Sequence, residues 1–373
     1  MNYNANLKPD ERAALKLRGI YEQYGYQKYR MGRFEEYSLY ASNKDFLAGD
    51  KVITFTDLDG RLLALKPDVT LSIIKNTKAT RESSEKLYYI ENIYRESKES
   101  HTFKEISQLG LEFLGDVDLY GVVEVISLAA ATLGAVSDRY ILELSHMRFT
   151  LELLNSLPVS EPVKHKILKH IRNKNADGIR KTCEPAGVCE ESLDRLCKIP
   201  FLYGRVDETL KEASKLIISQ PMQDAIDQIH TIYRALEDCG CAQNVQTDFS
   251  IVNDIDYYNG VIFKGYIEKL ARSVLAGGQY DSGMKKFGKD LDAIGFALYL
   301  NELSMLVEDN VKTDVDALIL YQQNTELSDV IKAVSALKAE GLRVRAEKSI
   351  PRGLRFQKMY RIEGGKWMEV EKC

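Results

Sequence analysis

Several short stretches of this 373-residue chain gather ionisable and hydrogen-bonding side chains that could hold a small polar molecule. In Lys66-Pro67-Asp68-Val69-Thr70 a strand pattern gives way to a helix pattern, which puts Asp68 and Thr70 at the rim of a sheet. A carboxylate and a hydroxyl there suit an ammonium group. Aspartate after proline is equally an ordinary helix-start residue. Tyr94-Arg95 ends one strand pattern, and Lys104-Glu105-Ile106-Ser107-Gln108-Leu109-Gly110-Leu111-Glu112 begins the next. In a strand, Gln108 and Glu112 share one face. Their alternation with Leu109, Leu111 and Phe113 also suits a sheet with one solvated face. Aspartate, tyrosine and glycine concentrate in Ile251-Val252-Asn253-Asp254-Ile255-Asp256-Tyr257-Tyr258 and Ala276-Gly277-Gly278-Gln279-Tyr280-Asp281.

The elements that must position these residues follow from periodicity. A helix is expected over about 9–25, with Asp10 and Glu11 in the first turn, where the helix dipole favours them. Strands at 52–55 and 62–65 flank the turn signal Asp57-Leu58-Asp59-Gly60. Further strands are expected at 86–90 and 106–114, and helices over 68–77 and 119–133. From about 150 to 243 the pattern is mostly helical, with breaks at Pro158, Pro162, Pro185, Pro200 and Pro221, and reads as an inserted bundle. Strand patterning returns from 247 to about 276, a helix is expected from Ile294 to about Leu306, and the tail reads as a small α/β unit. That tail comprises a strand at 316–320, a helix at 326–340 and the stretch 342–345.

Composition bounds the possibilities. Hydrophobic content of 45% with 28% charged residues is ordinary for a folded chain with two or three domains. No apolar run is expected to reach the roughly 18 residues of a membrane span, and the start lacks the basic and apolar stretches of a signal peptide. The expectation is a cytoplasmic protein that uses no membrane. The six cysteines match no common zinc spacing and read as free thiols, and the five histidines read as solvated, so neither a metal nor another cofactor is expected. A net charge of −4 lacks the basic excess of a nucleic-acid binder, and the lysines from Lys164 to Lys174 suit the wet side of a helix that buries Ile167, Leu168 and Ile171.

Taken in order, Leu65-Lys66-Pro67-Asp68-Val69-Thr70, Tyr94-Arg95, Gln108-Leu109-Gly110-Leu111-Glu112, Asp256-Tyr257-Tyr258, Gly277-Gly278-Gln279-Tyr280-Asp281 and Gly295-Phe296-Ala297 resemble histidyl-tRNA synthetase, a class II synthetase. The resemblance covers roughly residues 7–306. It implies an α+β fold: a class II synthetase-like antiparallel sheet flanked by helices over about 1–310, with the helical insertion at about 150–243. A small α/β domain at 313–373 would be truncated relative to an anticodon-binding domain. It also implies that Asp68, Thr70 and Gln108 surround a histidine ammonium, Arg95 its carboxylate, and Glu112, Tyr257 and Tyr258 its imidazole.

The departures bear on catalysis. Asn253 stands where the family's histidine signature has arginine, Glu302 stands where motif 3 has arginine, and after Tyr94 the family's Arg-x-Glu-Arg pattern is absent. Each change removes planar, charged donors that phosphate groups need. From Asp314 to Cys373 the chain has 11 Lys and Arg against 9 Asp and Glu, a difference of 2, too small for strong phosphate capture, so transfer RNA is not an expected partner. These departures resemble the synthetase-like regulatory subunits of ATP phosphoribosyltransferase. That resemblance implies a non-catalytic protein with histidine as effector, a homodimer within a hetero-oligomer, and the short-form catalytic subunit as partner. A divergent histidyl-tRNA synthetase, an amino-acid ligase paralogue and a general amino-acid-sensing module remain alternatives.

Overall fold

Along the central strands, large apolar side chains alternate with small or polar ones, and the result is a sheet with two unlike faces. The computed structural model describes residues 7, 9–43, 51–97, 100–252, 258–306 and 313–370. The described residues form two compact units, one within Lys8–Leu306 and one carrying 313–370. In the first unit, nine strands pair in the order Gln27–Lys28, Glu85–Glu96, Phe103–Gly115, Asp292–Tyr299, Leu275–Gln279, Val261–Ile267, Tyr140–His146, Val245–Asp248 and Tyr203–Gly204. Neighbours run antiparallel except at Gln27–Lys28 with Glu85–Glu96 and at Tyr140–His146 with Val245–Asp248. Helices flank this sheet, as expected of the α+β class.

One face of the sheet is the floor of the core. Leu109, Leu111, Phe263, Phe296 and Leu298 bury there against Leu17 and Tyr21 of the helix Pro9–Gln23 and against Val125, Ala129 and Leu133 of the helix Leu119–Val136. Asp118 starts that second helix by accepting from the Gly121 amide at 2.9 Å. Contrary to the sequence expectation, Leu119–Val136 is long and apolar enough to cross a membrane, but 61% of it is buried inside the protein. Its one acidic residue, Glu124, accepts from Lys86 Nζ at 2.7 Å and Tyr26 OH at 3.0 Å. A helix that is apolar nearly all round is what a doubly covered core position demands.

Most other elements fall where periodicity puts them. The hairpin Thr54–Thr56 with Leu62–Leu65 forms around Asp57, whose Oδ1 accepts from the amides of Asp59 and Arg61 at 2.9 and 2.8 Å. Between 147 and 238 the chain is built from the helices Met147–Asn155, Glu161–Arg172, Ala176–Cys183, Glu190–Lys198, Val206–Ser214 and Gln220–Asp238. Ile167, Leu168 and Ile171 are buried, and the lysines beside them face outward. In the second unit, strands order as Val344–Glu347, Val315–Leu320, Phe356–Glu363 and Lys366–Val370, with the helix Leu327–Ala339 covering one face. The last two strands were not anticipated from the sequence.

Two further expectations are corrected. Asp292–Tyr299 is a strand, and only Leu300–Leu303 is α-helical. Its run Ala293-Ile294-Gly295-Phe296-Ala297-Leu298 is buried on both sides, and such short apolar runs do not distinguish helix from strand by periodicity. Nor are the histidines all solvated. His146 is buried at the end of Tyr140–His146, with Nε2 2.8 Å from Gln228 Oε1 and Nδ1 accepting from the Arg148 amide at 3.2 Å.

Burial lowers the His146 pKa to about 4. Between that value and the ordinary 6.5 the unfolded chain binds a proton that the folded chain refuses, so stability falls as pH drops through this window. The loss is at most about 1.4 kcal/mol per pH unit. Denaturant unfolding of wild type and His146→Gln from pH 7 to pH 4.5 should show a shallower acid loss in the variant.

Candidate functional site

The other face of the sheet holds the polar groups, and in-register pairing fixes which of them are neighbours. One row across the sheet runs Leu87, Glu112, Gly295, Gly278, Ile262; the next runs Tyr89, Gly110, Ala297, Ala276, Lys264. Gln108 begins a third row, between Glu91 and Tyr299. Glycines make this face flat. A Cβ on Gly295 would lie 1.8 Å from Glu112 Oε2, one on Gly110 would lie 2.1 Å from the Tyr89 ring, and one on Gly278 would lie 2.8 Å from Tyr258 Cδ1. The carboxyl and the two rings therefore lie down over bare backbone.

Glu112 is 2% exposed. Thr70 Oγ1 donates to its Oε1 at 2.9 Å and Tyr280 OH donates to its Oε2 at 2.7 Å. Burial is the main cause that lifts its pKa to about 8; the two hydroxyls pull it down and the nearby Asp68 carboxylate pushes it up. Thr70 reaches it from the first turn of the helix Thr70–Asn76. Asp68, just before that helix, does both things its sequence context allows. Its Oδ1 accepts from the Leu71 amide at 3.0 Å, and its Oδ2 accepts from an Arg95 terminal nitrogen at 3.0 Å. Arg95 Nε also donates to Pro67 O at 2.7 Å.

Gln108 is 4% exposed, and its carboxamide makes no hydrogen bond to any described residue. Beside it, Lys66 and Glu91 form an ion pair in which the lysine is wholly buried. Of the sequence-derived set, Asp68 with Arg95 and Thr70 with Glu112 are thus joined by direct hydrogen bonds. Gln108 shares their sheet face, and Tyr258 lies over Gly278, two strands from Glu112. Tyr257 and Asn253 lie outside the described residues. Glu302 is half-buried in the short helix Leu300–Leu303.

Tyr280 was missed as a site residue. Its motif stood out in the sequence, but the residue follows the strand Leu275–Gln279, where alternation no longer predicts direction. Asn259 and Asp281 fix that corner: Asn259 Nδ2 donates to Asp281 Oδ2 at 3.2 Å, and Asp281 Oδ1 accepts from the Ala293 amide at 2.9 Å. Among the described residues no cluster of histidine, cysteine and carboxylate could hold a metal ion. The five described cysteines are free thiols.

The family model described as histidyl-tRNA synthetase matches residues 4–303. The chain belongs to the histidyl-tRNA synthetase family. Among the relatives of this family member is the ATP phosphoribosyltransferase regulatory subunit of Bacillus mycoides (strain KBAB4), 28% identical over 341 residues that span 89% of this chain and 80% of that protein. The solved structure of an ATP phosphoribosyltransferase regulatory subunit/histidyl-tRNA synthetase from Bacillus halodurans C superposes with a TM-score of 0.75 at 23% identity, covering 91% of this chain and 88% of that one. A chain of the ATP phosphoribosyl transferase (HisG:HisZ) complex from Thermotoga maritima superposes at 0.61 and 21% identity, covering 77% and 96%. The fold is therefore that of the class II synthetase-like proteins.

The Glu112 shift carries a sign. Its folded pKa lies above the ordinary carboxyl value of 4.5, so the stability it contributes as a neutral acid is complete below 4.5 and lost as pH rises through about 8. Glu112→Gln keeps a neutral group of the same shape, and its unfolding free energy should decline less between pH 6 and pH 9 than that of wild type when both are measured by denaturant titration.

Proposed function

We propose that this chain is the non-catalytic regulatory subunit of an ATP phosphoribosyltransferase and binds histidine on the polar face of its sheet. The observation that carries this reading is Gln108: a residue 4% exposed whose carboxamide makes no hydrogen bond to any described residue, on the same strand face as the buried Glu112. A carboxamide open on the same face as a buried carboxyl suits a ligand with polar groups of its own. Histidine has the required set. Its ammonium fits Asp68, Thr70 and Gln108; its carboxylate fits the Arg95 nitrogen that bonds to no described residue; its imidazole fits Glu112, Tyr257, Tyr258 and the added Tyr280.

The names of the relatives support the regulatory role, and the Thermotoga maritima complex supports a catalytic subunit as partner; that this partner is the short form, and that the hetero-oligomer is built on homodimers, belong to the same proposal. Asn253 and Glu302, in place of two arginines, argue against histidyl-adenylate formation, because removing one preorganised charged donor typically costs about 3 kcal/mol of transition-state stabilisation. The tail from Asp314 to Cys373, with its small net charge, argues against transfer RNA. Histidine would act by binding one conformation of the complex more tightly than the other.

Calorimetry with the purified full chain should detect histidine, and Gln108→Ala should abolish that heat while leaving the thermal unfolding midpoint within a few degrees of wild type. An ATP/pyrophosphate exchange assay with histidine should stay at background. Robust exchange would overturn the regulatory reading in favour of a divergent synthetase.

A further inference from the structure

Tyr89 and Gly110 are direct partners on the strands Glu85–Glu96 and Phe103–Gly115, and Gln108 and Glu112 stand two residues to either side of Gly110 on the same face. The far end of the Tyr89 side chain fills the space that Gly110 leaves. A Cβ on Gly110 would lie 2.1 Å from Tyr89 Cζ and 2.3 Å from its hydroxyl oxygen, so the phenol tip rests on bare backbone between Gln108 and Glu112. Beyond Gly110 the row continues with two further small residues, Ala297 and Ala276. The ring itself is held: Tyr89 is 2% exposed and shares an apolar cluster with Tyr280, against which Tyr258 also packs.

The hydroxyl is uncommitted, for it makes no hydrogen bond to any described residue. The two carboxyls that act on it already have donors on both oxygens: Asp68 accepts from the Leu71 amide and Arg95, and Glu112 from Thr70 and Tyr280. Burial first, and then the charges of Glu112 and Asp68, hold the phenol pKa well above its ordinary value, with Arg95 pulling the other way, so the group keeps a proton to donate. We propose that Tyr89 is a ligand contact of the pocket, its hydroxyl donating to an acceptor of the bound molecule at the point between Gln108 and Glu112. This rests on the reading of the pocket as a histidine site, and histidine brings two acceptors, its carboxylate and its unprotonated ring nitrogen. A ligand of similar shape without an acceptor there leaves the hydroxyl unpaired and binds less tightly, which makes Tyr89 a specificity-determining residue.

The test uses Tyr89→Phe, which keeps the ring over Gly110 and removes only the oxygen. Because that oxygen bonds to no described residue, the thermal unfolding midpoint should not fall, while histidine affinity by calorimetry should fall about tenfold, the scale of one lost hydrogen bond to a ligand. Titration of both proteins with histidinol, which lacks the carboxylate, assigns the acceptor: a difference that persists places the contact at the ring nitrogen, and one that vanishes places it at the carboxylate. Unchanged histidine affinity in Tyr89→Phe overturns the inference while the pocket reading stands. A lowered unfolding midpoint, or failure to fold, marks the hydroxyl as structural and overturns it equally. Absence of histidine binding in wild type removes the pocket reading itself.

Discussion

The structure turns on keeping one carboxyl, Glu112, in the middle of a sheet with almost no access to water. Such a group survives only where donors reach both of its oxygens and no bulky neighbour occupies its space. Thr70 and Tyr280 supply the donors from two different elements, and Gly295 supplies the space, since a Cβ there would fall within 1.8 Å of the carboxyl. Those requirements reach outward. Thr70 must sit at a helix start, which Asp68 secures by accepting from the Leu71 amide; Tyr280 must leave its strand at a corner, which Asn259 and Asp281 secure. The glycine floor leaves room for the polar groups beside the smaller apolar cluster around Tyr89 and Leu114, and the opposite face carries the larger cluster, against which the unusually apolar helix Leu119–Val136 packs.

Much of this was legible in the sequence because it rests on local rules. The turn at Asp57 to Gly60, the strand bearing Gln108 and Glu112, and the amphipathic helix around Ile167 are set by periods of two or 3.6 residues and by turn chemistry. The failures share a cause. Asp292–Tyr299 and Leu119–Val136 are both apolar almost throughout and mostly buried, so neither shows a polar face from which its type or setting can be read. His146 and Tyr280 are exceptions of another kind: the burial of one and the aim of the other depend on Gln228 and Glu112, which lie 82 and 168 residues away in the chain. No local window contains such information. Lys174 is a third instance, read from sequence as one lysine of a wet helix face and found with a φ of +51° and with Asp248 and the Tyr203 ring as partners, which only the folded sheet edge explains.

The resemblance to synthetases was informative because its residues were taken as an ordered set, whereas each stretch alone admits an ordinary structural role. Asp68 fills both kinds of role: it caps a helix and pairs with Arg95 at once. The two roles are compatible because the carboxylate has two oxygens pointing different ways. A pocket built from residues that also serve the fold would lose activation chemistry more easily than binding. Arginines that touch only phosphate can be replaced without disturbing the sheet, while Glu112 and Thr70 cannot.

His146 and Glu112 lie on opposite faces of one sheet, and burial drives both toward the neutral form. Their effects on stability have opposite signs with pH. Between about 4.5 and 6.5 the unfolded chain gains one proton at the histidine and lacks one at the carboxyl, so the two slopes largely cancel. Above 6.5 only the carboxyl contributes, and its contribution is lost as pH rises through about 8. A cationic group placed against Glu112 would reverse that last step, because it favours the ionised carboxylate and lowers its pKa. Binding of an ammonium or imidazolium there would release a proton at neutral pH, and the same carboxyl that sets the shape of the sheet face would then link ligand occupancy to pH.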